Sequence, residues 1–215
     1  MTGRGRAAAS ALLCVGLVLV AGGCGGDGED RTRASRNGTA QDADGGNDTA
    51  IERARAVEDT VARWAQAATL MKAKAGAEAA RNLITGPTVQ GAGDADGDGR
   101  ATRVRVGLLP GDDGSPGLAT AVEGGCVLRD VLGGSWDRPK ERWGELLTRI
   151  EEWSATNNRF PELPSHAQRT AGWATLTLSA TSIEEAREYA GHAVGHAAIV
   201  TQALRAPAAR PCPGG

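Results

Sequence analysis

The sequence has few aromatic side chains, no excess of either charge and no apolar run as long as a membrane-spanning helix. Only 3% of its 215 residues are aromatic, whereas 31 are Gly and Ala is abundant, which favours a helical core of small side chains. Lys and Arg number 24 against 26 Asp and Glu, so the formal net charge is −2. Because nucleic-acid-binding proteins normally carry a basic excess, we expect no nucleic-acid partner.

Several catalytic motifs are also missing from the sequence. It contains no Gly-x-Ser-x-Gly nucleophile elbow, no phosphate-binding Gly-x-x-x-x-Gly-Lys-[Ser/Thr] motif and no dinucleotide fingerprint. The absence of a Cys-x-x-Cys pair argues against a thiol redox role. We therefore expect a protein that performs no chemistry, although a hydrolase that uses carboxylates would need none of these motifs.

The first 24 residues have the layout of an export signal. Arg4 and Arg6 precede an apolar run over residues 7–20, which is shorter than the roughly 20 residues of a membrane-spanning helix. Three small residues, 21–23, then lead to Cys24.

A Cys directly after small residues resembles the lipobox of bacterial lipoproteins. The resemblance implies that residues 1–23 are removed, that Cys24 becomes a lipid-modified amino terminus, and that the protein is anchored on the extracytoplasmic face of the cell membrane. That family usually has Leu three positions before the Cys, where this chain has Ala21. A plain secretory signal with an incidental Cys is the alternative interpretation.

Behind the signal, residues 24–48 contain no large apolar side chain and carry more acids than bases. Such a segment cannot offset its ordering entropy by burial, so we predict a disordered acidic tether. A folded domain is then predicted over residues 49–206, followed by a Pro-rich tail over residues 207–215.

Two cysteines are left for the mature domain and tail, Cys126 and Cys212. An even pair outside the cytoplasm predicts one disulfide that ties the tail to the domain. The alternative is two unpaired thiols.

Capping signals and apolar periodicity predict an all-α domain, a bundle of four to five helices. Three pairs of Ser or Thr with Glu or Gln three residues later have the spacing of capping boxes, and each precedes an amphipathic stretch. The pairs are Thr49 with Glu52, Ser165 with Gln168, and Ser182 with Glu185.

The first apolar stripe predicts one helix of about 35 residues that ends near Gly86. Further helices are predicted from Ser115 through Leu128 and behind a cap at Asp137. In the loop region rich in Gly and Asp, residues 102–108 alternate Arg with Val, which predicts one short β-strand. The first stripe consists of Ala54, Val57, Val61, Trp64, Ala68, Met71 and Ala75.

The segment over residues 94–100 resembles the calcium loops of EF-hands and dockerins. Asp94, Asp96 and Asp98 occupy relative positions one, three and five, and a Gly follows at position six. Because Ca²⁺ takes six to eight oxygen ligands, the resemblance implies a structural calcium site that these carboxylates and the Arg100 carbonyl would form. Position twelve departs from the pattern, since Arg105 stands where an acid is needed.

Two alternatives remain open for this loop. Asp112 or Asp113 would have to replace the missing acid, or else the segment is a solvated acidic turn.

A second candidate metal site lies on the last predicted helix. Glu188, His192 and His196 recur every four residues and so share one face, a pattern suited to zinc, copper or iron, with His166 as a remote ligand. The residue after His192 is Ala, so the metalloprotease pattern His-Glu-x-x-His is absent. The alternative interpretation is the polar border of a packed helix.

The sequence therefore favours a membrane-anchored, extracytoplasmic bacterial lipoprotein whose helical domain binds an unidentified protein or small ligand. An envelope lipoprotein that handles zinc, copper or iron is the alternative function.

Overall fold

Five α-helices make up most of the part of the chain that the structure describes. A computed structural model describes residues 38–152, 163–206 and 212, with side chains from residue 49 onward, and all of these belong to one compact unit. No strand occurs in these residues, which confirms the all-α class. None of these helices has the combination of length and apolar character needed to cross a membrane. The helices are α1 (Gly38–Ala65), α2 (Leu70–Thr85), α3 (Pro139–Glu151), α4 (His166–Ser179) and α5 (Ile183–Arg205).

Some sequence-based predictions fall on other parts of the chain. The predicted signal, Cys24 and most of the predicted tether lie outside the described residues, as does the tail apart from Cys212.

Four helices form a closed bundle in which α1 packs on α2 and α5, while α4 packs on the same two helices. Small side chains fill the interfaces, which lets the helices approach closely. At Gly76 in α2, an added Cβ would lie 2.7 Å from Cβ of Trp64 in α1, so only Gly fits there. The buried alanines of these four helices include Ala54, Ala73, Ala77, Ala80, Ala174, Ala186, Ala190, Ala193 and Ala197.

The predicted single helix over residues 49–86 is wrong, because the chain breaks between α1 and α2. The side chain of Thr69 caps α2 by accepting a hydrogen bond from the Lys72 amide at 3.3 Å. The Ala67 carbonyl, freed by the break, accepts two hydrogen bonds from Arg187 of α5, at 3.2 and 3.0 Å. The break shifts the buried face of α2, so Met71 of the predicted stripe is 67% exposed.

The beginning of α1 also differs from the prediction. The helix begins at Gly38, within the segment predicted to be a tether, and Thr49 lies inside the helix and does not cap it. The first half of the predicted stripe is nevertheless buried, with Ala54, Val57, Val61 and Trp64 at most 1% exposed.

Two of the predicted helix starts are confirmed. Ser165 and Gln168 form a reciprocal capping box at the start of α4. Ser182 caps α5 by accepting a hydrogen bond from the Glu185 amide at 3.1 Å. Asp137 makes no such cap, because α3 begins at Pro139 and the N-cap position is occupied by Arg138, whose side chain makes no capping hydrogen bond.

The predicted helix from Ser115 to Leu128 is replaced by two short segments. A 3₁₀ helix spans Leu118–Ala121, and a π-helix spans Val127–Leu132. Gly124 lies between them with a φ of 145°, a backbone conformation that interrupts regular helix.

The predicted β-strand over residues 102–108 is also wrong. This segment runs past the carboxyl end of α2, where Leu108 and Leu109 donate backbone hydrogen bonds to the carbonyls of Leu83 and Ile84 at 3.1 and 2.9 Å. Arg53 of α1 adds a hydrogen bond to the Val106 carbonyl at 2.5 Å. The free carbonyls at the end of α2 accept hydrogen bonds from the backbone amides of this segment, so the segment needs no partner strand.

The predicted disulfide is confirmed. Cys126 precedes the π-helix and is bonded to Cys212, with 5.1 Å between the two Cα atoms and 86 residues of sequence separation.

Candidate metal centre

The last two turns of α2 bury a row of polar side chains that hold the long loop that follows. Asn82 donates a hydrogen bond to the Gly93 carbonyl at 2.9 Å and accepts one from the Gly93 amide at 3.2 Å. Arg81 donates to the Gln90 carbonyl at 2.9 Å. These contacts fix the start of the acidic loop against the helix.

Glu78 is the member of this row that faces the acidic loop itself. Its carboxylate is buried and accepts backbone N–H groups from Ala95 at 2.8 Å, Asp96 at 3.3 Å and Thr102 at 3.4 Å. Burial raises the pKa of Glu78, while the three backbone donors act in the opposite direction. A carboxylate held in this way organises both ends of the loop.

The aspartates of the loop shape its turns. Asp94 accepts a hydrogen bond from the Gly99 amide at 2.9 Å, Asp96 from the Asp98 amide at 3.0 Å, and Asp98 from the Arg100 amide at 2.8 Å. These bonds turn the loop back on itself and direct two of its carboxylates toward Glu78.

Carboxylate oxygens of Glu78, Asp94 and Asp96 all lie within 4.8 Å of one another, so the group could hold a metal ion. Three carboxylates are the oxygen ligands of a hard divalent cation. Of the three sequence-predicted carboxylate ligands, the structure thus brings Asp94 and Asp96 together, whereas Asp98 is not part of this group. The Arg100 carbonyl stays a prediction.

The third acid comes from α2 and not from the chain after the loop. Asp113, one of the two suggested replacements for the missing acid, instead accepts hydrogen bonds from the amide and hydroxyl of Ser115 at 2.9 and 2.6 Å. Glu78 was not predicted as a ligand, although the sequence contains a signal for it. The next step of the first apolar stripe after Ala75 falls on Glu78, and an acid at a core position indicates a polar partner inside the fold.

A cleft of about 310 Å³ adjoins this loop. Asn82, Gly93 and Thr102 line it and also take part in the contacts around Glu78, while Pro87 and Val104 supply apolar wall. The conformation of the acidic loop therefore sets the shape of the cleft.

The structure does not assemble the predicted stripe on α5 into a metal centre. Within the described part of the chain, no group of three clustered ligands includes Glu188, His192 or His196. Glu188 is exposed, and His192 stacks on Trp173 with 4.5 Å between ring centroids and 15° between the planes. The face that carries the stripe packs partly against α4, so its members point to different surroundings.

His196 instead meets His166, the residue that the sequence offered as a remote ligand. The two Nδ1 atoms are 2.9 Å apart, with His166 at the first position of α4 and His196 in the middle of α5. Burial lowers the pKa of both rings, and the approach of His166 adds to the effect on His196, whose pKa falls to about 4. Both imidazoles are therefore neutral at pH 7.

Known proteins supply no guide to either site. No family model matches the chain, and no curated protein or solved structure matches it significantly. The function has to be inferred from the residues themselves.

Proposed function

We propose that the chain is a lipid-anchored, extracytoplasmic bacterial protein whose helical domain binds a protein or small ligand and performs no chemistry. The observation that carries this proposal is Cys24 behind small residues and an apolar run. The disulfide between Cys126 and Cys212 supports it, because structural disulfides persist in oxidising compartments and are rare in the cytosol.

Membrane fractionation of Cys24→Ser tests the anchor. Without the thiol, no thioether to lipid can form, so we expect the variant to leave the membrane fraction. Cys14→Ser is the matched control, since Cys14 lies within the apolar run of the signal and should not affect anchoring. Recovery of Cys24→Ser in the membrane pellet, at the level of the control, would refute the anchor.

We further propose that the cation held by Glu78, Asp94 and Asp96 is calcium and that its role is structural. The proposal is supported by the all-carboxylate ligand set and by the loop spacing, both of which suit Ca²⁺ better than a metal that prefers nitrogen or sulfur. Two of the three acids are not buried, so water molecules can supply the remaining ligands of the ion. A bound ion would offset the repulsion among three carboxylates and order the wall of the cleft.

Thermal unfolding in millimolar Ca²⁺, with Mg²⁺ as the comparison ion, tests the calcium proposal. A ligand that binds only the folded state raises the melting temperature, so we expect a rise that Asp96→Asn removes. Asp98→Asn is the matched control, because Asp98 is exposed and outside the group, and it should keep the rise. An unchanged melting temperature for the wild type in Ca²⁺ would exclude the site.

A further inference from the structure

The contact between His166 and His196 brings two imidazole nitrogens from different helices into direct apposition. The Nδ1 atoms are 2.9 Å apart and the ring planes are inclined by 49°. One Nδ1 must carry a proton that it donates to the other, since a neutral imidazole has one donor and one acceptor nitrogen. Each ring thus directs at its neighbour the atom that would also serve as a metal ligand.

The spacing of the two nitrogens is close to that of a metal site. Zinc binds imidazole nitrogen at 2.0–2.1 Å in tetrahedral geometry, which places two ligand nitrogens about 3.3 Å apart. The pair would have to open by about 0.4 Å, and each ring would have to turn so that its Nδ1 points at the metal and not along the line between the two nitrogens. His166 stands at the first residue of α4 and both rings are partly exposed, so water can reach the remaining positions.

We propose that His166 and His196 form a binding site for a divalent transition-metal ion of the zinc and copper class, completed by water. The site is separate from the acidic loop, and the proposal does not rest on the function proposed above. On binding, the proton between the rings moves to the outer nitrogen of its own ring, so a neutral pair loses no net proton. Imidazole is a ligand for zinc and copper and not for calcium, so the two sites take different ions.

The charges around the pair are mixed. Arg169 of α4 and Arg129 of the π-helix act on His166 as positive neighbours, and the buried Asp130 acts as a negative one. Both oxygens of Asp130 accept hydrogen bonds from Arg129, at 2.7 and 2.9 Å, so this carboxylate already has a partner and is not counted as a metal ligand. His192, one turn before His196 on α5, is stacked on Trp173, so we exclude it as a ligand.

Zinc titration of the full chain tests the proposal. The protein is extracted in detergent without a histidine tag, stripped with EDTA and titrated with Zn²⁺ in excess Ca²⁺ against a chromophoric chelator. We expect one zinc ion per chain, with an affinity that falls more than about tenfold in His166→Gln and in His196→Gln. The chain has three His residues, so His192→Gln completes the set as the matched control and should keep wild-type affinity.

Three results would overturn the site. They are the absence of zinc binding by the wild type, equal affinity in wild type and His166→Gln, and loss of binding in His192→Gln. If a variant fails to fold, imidazole NMR of the wild type decides the matter. Zinc should shift the ring signals of His166 and His196 and leave those of His192 in place, and the opposite pattern contradicts the proposal.

Discussion

At the scale of single residues, one buried carboxylate organises the acidic loop. Glu78 is 2% exposed and accepts the amides of Ala95, Asp96 and Thr102, of which the Ala95 amide also donates to the Gly93 carbonyl at 3.1 Å. The aspartates of the loop could be recognised from their spacing, because that signal is local. Glu78 lies 16 positions before Asp94 and reaches it only through the fold.

The first prediction concerns Glu78→Ala. The substitution removes the carboxylate that accepts three partly buried backbone amides, and we expect the free energy of unfolding to fall by about 1–3 kcal/mol. Urea denaturation in a chelator measures this effect without any contribution from a bound cation. Asp98→Ala removes an exposed acceptor in the same loop and should cost less than about 0.5 kcal/mol. Equal losses in the two variants would contradict the anchoring role of Glu78.

The second prediction concerns the pH dependence of the histidine pair. The folded state lowers the pKa of His196 from 6.5 to about 4 and lowers that of His166 as well, so the unfolded chain binds more protons between these values. The contribution of the histidine pair to the free energy of unfolding is therefore fully present above pH 6.5 and is lost as the pH falls toward 4.

Urea denaturation across this range checks the sign and the size. Between pH 8 and pH 5 we expect His196 to account for a loss of about 1–2 kcal/mol, allowing for solvent screening. In His196→Gln this part of the pH dependence should disappear. A variant that retains the full wild-type slope would show that other groups cause it.

At the scale of helices, the sequence predicted two helix starts that are set by bonds between neighbouring residues. The caps at Ser165 and Ser182 bond amides three residues away, so they can be read from neighbouring residues. The break between α1 and α2 also has a local cap, because Thr69 accepts a bond from the Lys72 amide three residues later. The partner of the freed Ala67 carbonyl could not be read from neighbouring residues, since Arg187 lies 120 residues later in the sequence. The apolar stripe continues past the break in the sequence, so it gave no indication that α2 buries a different face.

The third prediction concerns the close contact of α1 with α2. Gly76→Ala places a Cβ 2.7 Å from Cβ of Trp64, an atom fixed to the backbone, so the helices must separate. We expect a loss of about 1–3 kcal/mol, the usual range for overpacking. Gly191→Ala is the matched control, because the added Cβ on α5 would meet no atom within 4 Å beyond its own chain neighbours and helix backbone, and it should stabilise by up to about 1 kcal/mol. Chemical denaturation of both variants measures the difference.

At the scale of the whole molecule, the disulfide joins the π-helix to the segment beyond α5. Its two cysteines are 86 residues apart in sequence, and the intervening chain contains α3, α4 and α5. The pairing could be predicted because only two cysteines follow Cys24 in the sequence. The bundle class could be predicted because several apolar stripes indicated helices, even though several of the predicted helix boundaries were wrong.

The fourth prediction concerns this cross-link. Cys126→Ser with Cys212→Ser should lower the free energy of unfolding by about 2–4 kcal/mol, because the unfolded chain regains freedom. Thermal unfolding with and without a reductant measures the effect. The melting temperature of the double variant should not change with the reductant. That of the wild type should fall toward the value of the double variant when the reductant is added. A wild type that is equally insensitive would contradict a stabilising role for the disulfide.

Mass spectrometry of the mature amino terminus tests the lipoprotein proposal most directly. The protein is purified in detergent from the membranes of a bacterial host, and its amino-terminal peptide is sequenced. The account predicts a chain that begins at Cys24 and carries a diacylglycerol thioether on that residue. A mature chain that begins elsewhere, or an unmodified thiol at Cys24, would contradict the membrane anchor and with it the proposed place of this domain in the cell envelope.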